Sequence, residues 1–188
     1  VANAGYVYQF GRNEYPTNAY APSVDVVQGP VDYADAMPGG QFENNFILGG
    51  HWLKDTDPNI MMIQNRWVPN LNDSPCPKGW RVPTAAELNL IAQKSHNFQP
   101  VVETYRIGIQ GDENATIYLY FPKGPSLTHN AGVNAGRSLY WSSSASSVTG
   151  ASYLEINRTT GIANTGGAVA SWGFPIRCIQ QDVNDMHP

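Results

Sequence analysis

Two stretches far apart in the chain constrain its fold more than anything else in it. The first is Cys76-Pro77-Lys78-Gly79-Trp80-Arg81-Val82-Pro83-Thr84-Ala85-Ala86-Glu87-Leu88, a turn running into a helix. Thr84 stands at the N-cap, and Glu87 three residues later completes a capping box. Each side chain there satisfies a backbone N–H that the first turn leaves orphaned. Leu88, Ile91 and Ala92 then share one face, which predicts a helix over about 85–94. The second stretch, Gly173-Phe174-Pro175-Ile176-Arg177-Cys178-Ile179, predicts a strand with Phe174, Ile176 and Cys178 alternating against Pro175, Arg177 and Ile179. Cys76 and Cys178 are the only cysteines and sit at the edges of these two elements, so they are read as a pair. Such a bridge closes a loop of about 100 residues, worth ~4–5 kcal/mol in loop-closure entropy, and favours an exported protein. Two separate buried thiols in a cytosolic protein is the other reading.

The rest of the chain supports a strand-rich domain. Its 188 residues suit one domain across 1–188 with a sizeable core. Only 14% are charged, while Gly and Pro are plentiful, a balance that favours short strands and structured turns. The fold class predicted is α+β, with short antiparallel strands, one main helix and long structured loops. Gly5 to Gly11 predicts a first strand with Tyr6, Tyr8 and Phe10 inward and Val7 and Gln9 opposite. From Arg12 to Gly50, prolines and Gly39-Gly40 interrupt every element, yet Tyr15, Tyr20, Tyr33, Phe42, Phe46 and Ile47 carry too much apolar surface for a solvated linker. A long packed loop is the reading. Trp52 and Trp67 are assigned to the core. Gln93 to Pro100 reads as a polar exit from the helix, with His96 near the helix end. Strands follow at Tyr105–Gln110 and Thr116–Phe121 around the turn Gly111–Asn114, then at Arg137–Ser142 and Ser152–Asn157.

Several chemistries find no support in these residues. The net charge of −4, with Lys54, Lys78, Lys94 and Lys123 scattered singly, offers no basic stripe for nucleic acid. No stretch approaches the ~18 apolar residues of a membrane span, and Val1–Ala4 resembles no signal leader, so either export has removed one or this is a piece of a larger protein. Asp55-Thr56-Asp57-Pro58-Asn59 imitates a calcium loop but has Ile60 in place of the sharp-turn Gly and Arg66 in place of the bidentate Glu; a turn with Asx caps is preferred. His51, His96, His129 and His187 are widely spaced, so no metal site and no cofactor is predicted. Ser142–Ser144 lack a base nearby, and nucleophile-elbow, phosphate-loop and dinucleotide patterns are missing. The chain is therefore read as not an enzyme.

Between Asn130 and Trp172 the composition shifts to small polar residues and aromatics, the mixture binding loops use because rigid rings give contact area at low entropic cost. The candidate ligand-binding residues are Asn134, Tyr140, Ser144, Ser146, Tyr153, Glu155, Asn157, Thr159, Asn164 and Trp172. Tyr140, Tyr153 and Trp172 are the candidate stacking rings for a sugar held without metal. The alternative is that this composition simply reflects tight turns in a strand-rich domain.

The strings CPKGWRVPTAAEL, LYWSSSA and GFPIRCI resemble the major paralogous domain of Bacteroidetes and Fibrobacteres surface proteins, over roughly Gly5 to Ile179. More distantly they resemble the C-type lectin fold of formylglycine-generating enzymes and of retroelement variable proteins. The resemblance implies a C-type-lectin-like fold and a non-enzymatic adhesion module of the fimbrial-tip or lipoprotein type. It would sit extracellularly or on the outer-membrane surface and bind a protein or glycan on a host or neighbouring cell, with pilus subunits as further partners. The same resemblance allows a diversity-generating retroelement variable protein, or a cryptic enzyme on the formylglycine-generating scaffold. Thiol oxidation is not carried over, because that chemistry needs two free active-site cysteines. The E-P-N and W-N-D strings of calcium-dependent sugar binding are missing.

Overall fold

The computed structural model describes residues 6–13, 17–18, 25–67, 74–101, 104–110, 116–122, 126–128, 133–134, 137–157, 160 and 162–181. The elements run β1 (Tyr6–Gln9), β2 (Thr17–Asn18), β3 (Val26–Gln28), α1 (Tyr33–Ala36), β4 (Phe46–Leu48), α2 (Ile60–Asn65), β5 (Trp80–Arg81) and α3 (Ala85–Lys94). They continue with β6 (Ser95–Val101), β7 (Thr104–Gln110), β8 (Thr116–Pro122), β9 (Ser126–Leu127), β10 (Val133–Asn134), β11 (Arg137–Ser147), β12 (Gly150–Asn157), β13 (Ala163–Val169), β14 (Gly173–Phe174) and β15 (Ile179–Gln180). The class is α+β, with mostly short strands. Among the described residues no helix is long and apolar enough to cross a membrane.

The strands form separate small sheets: β10-β9-β14-β1-β2, β11-β12-β13, β6-β7-β8, β15-β5 and the parallel pair β3-β4. Pairing of β1 with β14 brings the two ends of the described chain together, Tyr8 opposite Phe174 and Gln9 opposite Gly173. Around that seam three tryptophans are fully buried, and each indole N–H donates to the β1 strand or the turn after it. Trp141 Nε1 donates to the Tyr8 carbonyl and Trp52 Nε1 to that of Phe10, both at 2.8 Å, while Trp67 Nε1 donates to Asn13 Oδ1. A buried indole left without an acceptor would be costly, so these bonds fix where the rings lie.

The first strand departs from the single inward face predicted for it. Phe10 is buried, but so are Val7 and Gln9, because β1 is paired on both edges and covered on both faces. Gln9 satisfies its amide inside the core. Its Nε2 donates to the carbonyls of Ile47 and Ser171, both at 2.7 Å, and its Oε1 accepts from Ile47 N at 3.0 Å and from Arg12 Nη1 at 2.8 Å. Arg12, also buried, donates to the carbonyls of Asn45, Ala36, Phe42 and Glu43 at 2.7–3.1 Å and lies over the Trp52 ring. Over its described residues the predicted long loop is thus packed, and it carries β2, β3, α1 and β4 within it; Tyr15 and Tyr20 lie outside the described residues.

At the organising turn, Cys76 and Cys178 are bonded, with Cα atoms 5.8 Å apart across 102 positions of sequence. The capping box is formed. Thr84 N donates to Glu87 Oε2 at 2.7 Å and Glu87 N to Thr84 Oγ1 at 3.3 Å, while Arg81 holds both Glu87 oxygens at 2.8 and 2.6 Å. These bonds, led by Arg81, draw the Glu87 carboxyl down from 4.5 to about 2. The closing strand is shorter than predicted. Pro175 has no N–H to extend the ladder, and its carbonyl accepts from Trp141 N at 3.1 Å, so the chain leaves β14 for the rim of β11 before resuming as β15 beside β5.

One further expectation is corrected. The polar exit after the helix is strand β6, pairing with β7, and His96 stands on it opposite Gly108. Helix α2 and strand β13 were not foreseen. The Asp57 turn is an Asx cap: its Oδ1 accepts from Asn59 N and its Oδ2 from Tyr33 N, each at 2.8 Å. Burial pushes that carboxyl up, but these donors pull it further, to a net position below its ordinary value.

Candidate functional site

The sheet β11-β12-β13 has two differently used faces. Alternation along β12 sends Leu154 and Ile156 to one side, where they pack with Tyr140, Ala163 and Phe121 around Leu88 of α3. Ala151, Tyr153 and Glu155 point to the other side, with Trp141 opposite Tyr153 and Asn164 opposite Glu155. Near its Ala151 end this second face joins the main core; towards its Asn157 end it meets solvent.

Phe174 is the pivot of the boundary between them. The Tyr153 ring meets it edge-on with centroids 5.4 Å apart at 81°, and the Trp172 ring does so at 5.7 Å and 82°. Both rings are half-buried and flank a shallow groove of about 410 Å³, lined also by Gly50, Gly167, Ala168 and Val169. That volume falls in the range of small-ligand sites. The walls are apolar and, apart from the two rings, built mostly of small residues.

Beside the groove runs a polar strip. Arg137 Nη1 pairs with Glu155 Oε2 at 3.0 Å, Arg137 lies opposite Asn157 in the ladder, and Asn164 is exposed next to Glu155. Burial, and then the Glu155 charge, push the Tyr153 hydroxyl above its ordinary range, while Arg137 opposes them. The hydroxyl therefore stays protonated at neutral pH and able to donate.

The predicted site residues divide. Tyr153, Glu155, Asn157, Asn164 and Trp172 come together on or beside this face. Tyr140 does not: its ring is 1% exposed, packs edge-on against Phe121, and donates its hydroxyl to the Pro122 carbonyl. The expectation of an exposed stacking ring at Tyr140 is corrected, because β11 is covered by α3 on that side. Ser144 is occupied locally, its Oγ accepting from Ala85 N at 3.0 Å as a second cap for α3. Asn157 Oδ1 accepts from Thr160 N at 3.0 Å and closes the following turn. Ser146 is exposed near the end of β11 with its Oγ against Gly167 of the groove wall, where a Cβ would stand 3.1 Å from it; Asn134 lies on β10 in another sheet, and Thr159 lies outside the described residues. Sequence reasoning missed the groove's other wall, Gly50 and Gly167–Val169, as well as Arg137. The run of small residues Gly166-Gly167-Ala168 facing an aromatic strand was the available signal.

Among the described residues no three His, Cys, Asp or Glu side chains gather as a metal site. Compared with family models, curated proteins and solved structures, the chain finds no match.

Proposed function

We propose that this chain is a non-enzymatic binding module of the surface-adhesion kind, taking a protein or glycan ligand in the groove between Tyr153 and Trp172. The observation that carries the reading is the pair of half-buried rings held at fixed angles by Phe174 beside small-residue walls. Preset rings lose little freedom on binding, and the Glu155–Asn164 strip adds directional hydrogen bonding at their edge. The disulfide across the frame fits an exported location, extracellular or on an outer surface. The short strands, the ten-residue helix α3 and the pairing of β1 with β14 support a C-type-lectin-like reading of the architecture, and with it kinship to the bacterial surface domain that the sequence resembles.

The test is a glycan array and a panel of cell-surface proteins probed with the native chain and with Tyr153→Ala and Trp172→Ala. Each substitution is expected to weaken the captured ligand at least about tenfold. A ligand that binds both variants as tightly as the native chain removes this groove from the function.

A further inference from the structure

Strand β13 is the outer strand of the β11-β12-β13 sheet, and no further strand pairs with it among the described residues. Two flanking hydrogen bonds decide which of its backbone groups look outward. Asn157 N donates to the Ile162 carbonyl at 3.0 Å, and Ala170 N to that of Thr149 at 2.9 Å. Both pairs continue the register that sets Ile156 against Ala163 and Gly150 against Val169. Bonded and non-bonded pairs alternate along an antiparallel ladder. Asn164, Gly166 and Ala168 therefore direct their N–H and C=O groups to β12, and Ala163, Thr165 and Gly167 direct theirs away from it. Val169 aims its N–H outward, while its carbonyl accepts from Trp172 N at 3.1 Å.

Helix α3 packs along one face of this strand, where Thr165 Oγ1 donates to Asn89 Oδ1 at 3.4 Å and Ala163 is buried, but the strand itself carries few of the usual edge protections. From Ala163 to Val169 there is no charge, no proline and no bulky side chain, and Thr165 and Gly167 are exposed. The outward groups recur every second residue, about 6.8 Å apart, which is the repeat of another strand. One end of the edge, Gly167–Val169, is also a wall of the Tyr153–Trp172 groove.

We infer that β13 receives an extended segment of another polypeptide, which adds a fourth strand to the sheet and sets a large apolar side chain into the groove. The inference rests on the groove being the ligand site and narrows its ligand to a protein. The paired stretch of the partner is uncharged, matching the uncharged edge, since Arg137 and Glu155 neutralise each other nearby. A second copy of this chain is the poorer occupant. Its own β13 would bring only Asn164, Gly166 and Ala168 to the groove side, and none of these fills about 410 Å³.

The experiment pans a phage-displayed random dodecapeptide library on the intact, disulfide-bonded chain and measures affinities of the recovered peptides after synthesis. Recovered sequences are expected to alternate around one large apolar residue. N-methylation of the peptide should weaken binding about tenfold or more at every second amide and leave the intervening amides silent. Thr165→Pro and Gly167→Pro, each of which removes an outward N–H, should weaken binding by a similar factor relative to the controls Thr165→Val and Gly167→Ala, which share the loss of the Asn89 bond and the added Cβ beside Ser146 Oγ at the groove wall. No recovered binder, methylation effects without alternation, or full affinity in both proline variants would overturn the inference. So would dimerisation in sedimentation that Thr165→Pro abolishes. Binding lost in Trp172→Ala but intact in both proline variants keeps the groove and sinks the strand. Alternation that survives a silent Trp172→Ala keeps the strand and sinks the groove.

Discussion

The ring of Tyr153 lies across Gly166 of the neighbouring strand: a Cβ built at position 166 would stand 2.7 Å from the tyrosine hydroxyl and 2.8 Å from Cζ. Glycine in a strand interior commonly marks such a close approach. Gly166→Val is expected to lift the ring off the strand and cost ~1–3 kcal/mol, the usual scale of overpacking. In Tyr153→Ala the same substitution should cost measurably less, and a denaturant double-mutant cycle reads the difference. Strictly additive effects would mean that the two positions do not touch.

The bond between Cys76 and Cys178 closes a loop spanning 102 positions, which includes α3 and every strand from β5 to β14. Replacing both cysteines by alanine is expected to lower unfolding stability by about 4–5 kcal/mol in the chain-entropy model. Chemical denaturation of the oxidised chain against the double variant checks it. A difference under about 1 kcal/mol would show that the β15–β5 pairing and the core hold the frame unaided.

Glu87 supplies a pH dependence whose sign follows from its depressed carboxyl. Its folded value of about 2 lies below the ordinary 4.5, so the unfolded chain binds a proton first as pH falls. The stabilisation is complete above about pH 4.5 and is lost progressively towards pH 2. Solvent screening at this partly exposed pair reduces its size. Thermal midpoints measured down this range should fall more steeply for the native chain than for Glu87→Gln. Parallel curves would detach the ion pair from acid sensitivity.

The parts of the fold legible in the sequence were those with local signatures. The Thr84–Glu87 box, the apolar positions of α3 and the alternation of Thr116–Phe121 each announce their element within a few residues. The hidden parts depend on what covers them. Period-2 alternation says that β11 has two faces, but not that α3 closes one of them over Tyr140. Strand β13, Ala-Asn-Thr-Gly-Gly-Ala-Val, has almost no intrinsic strand preference and exists because β12 pairs with it along its whole length. For the site, Tyr153 and Trp172 were found from composition. Their meeting on Phe174 was not, since it depends on a register between strands distant in sequence.

Arg12 grips the segment from Ala36 to Asn45 through four main-chain oxygens. Every amino acid carries that oxygen, so the grip is blind to the identities it holds. Relatives of this chain should therefore keep the arginine and the backbone path, with drift confined to the exposed Pro38, Gln41 and Asn44, because Ala36 and Met37 are buried in the core, Gly39 has a positive φ and Gly40 has no room for a Cβ.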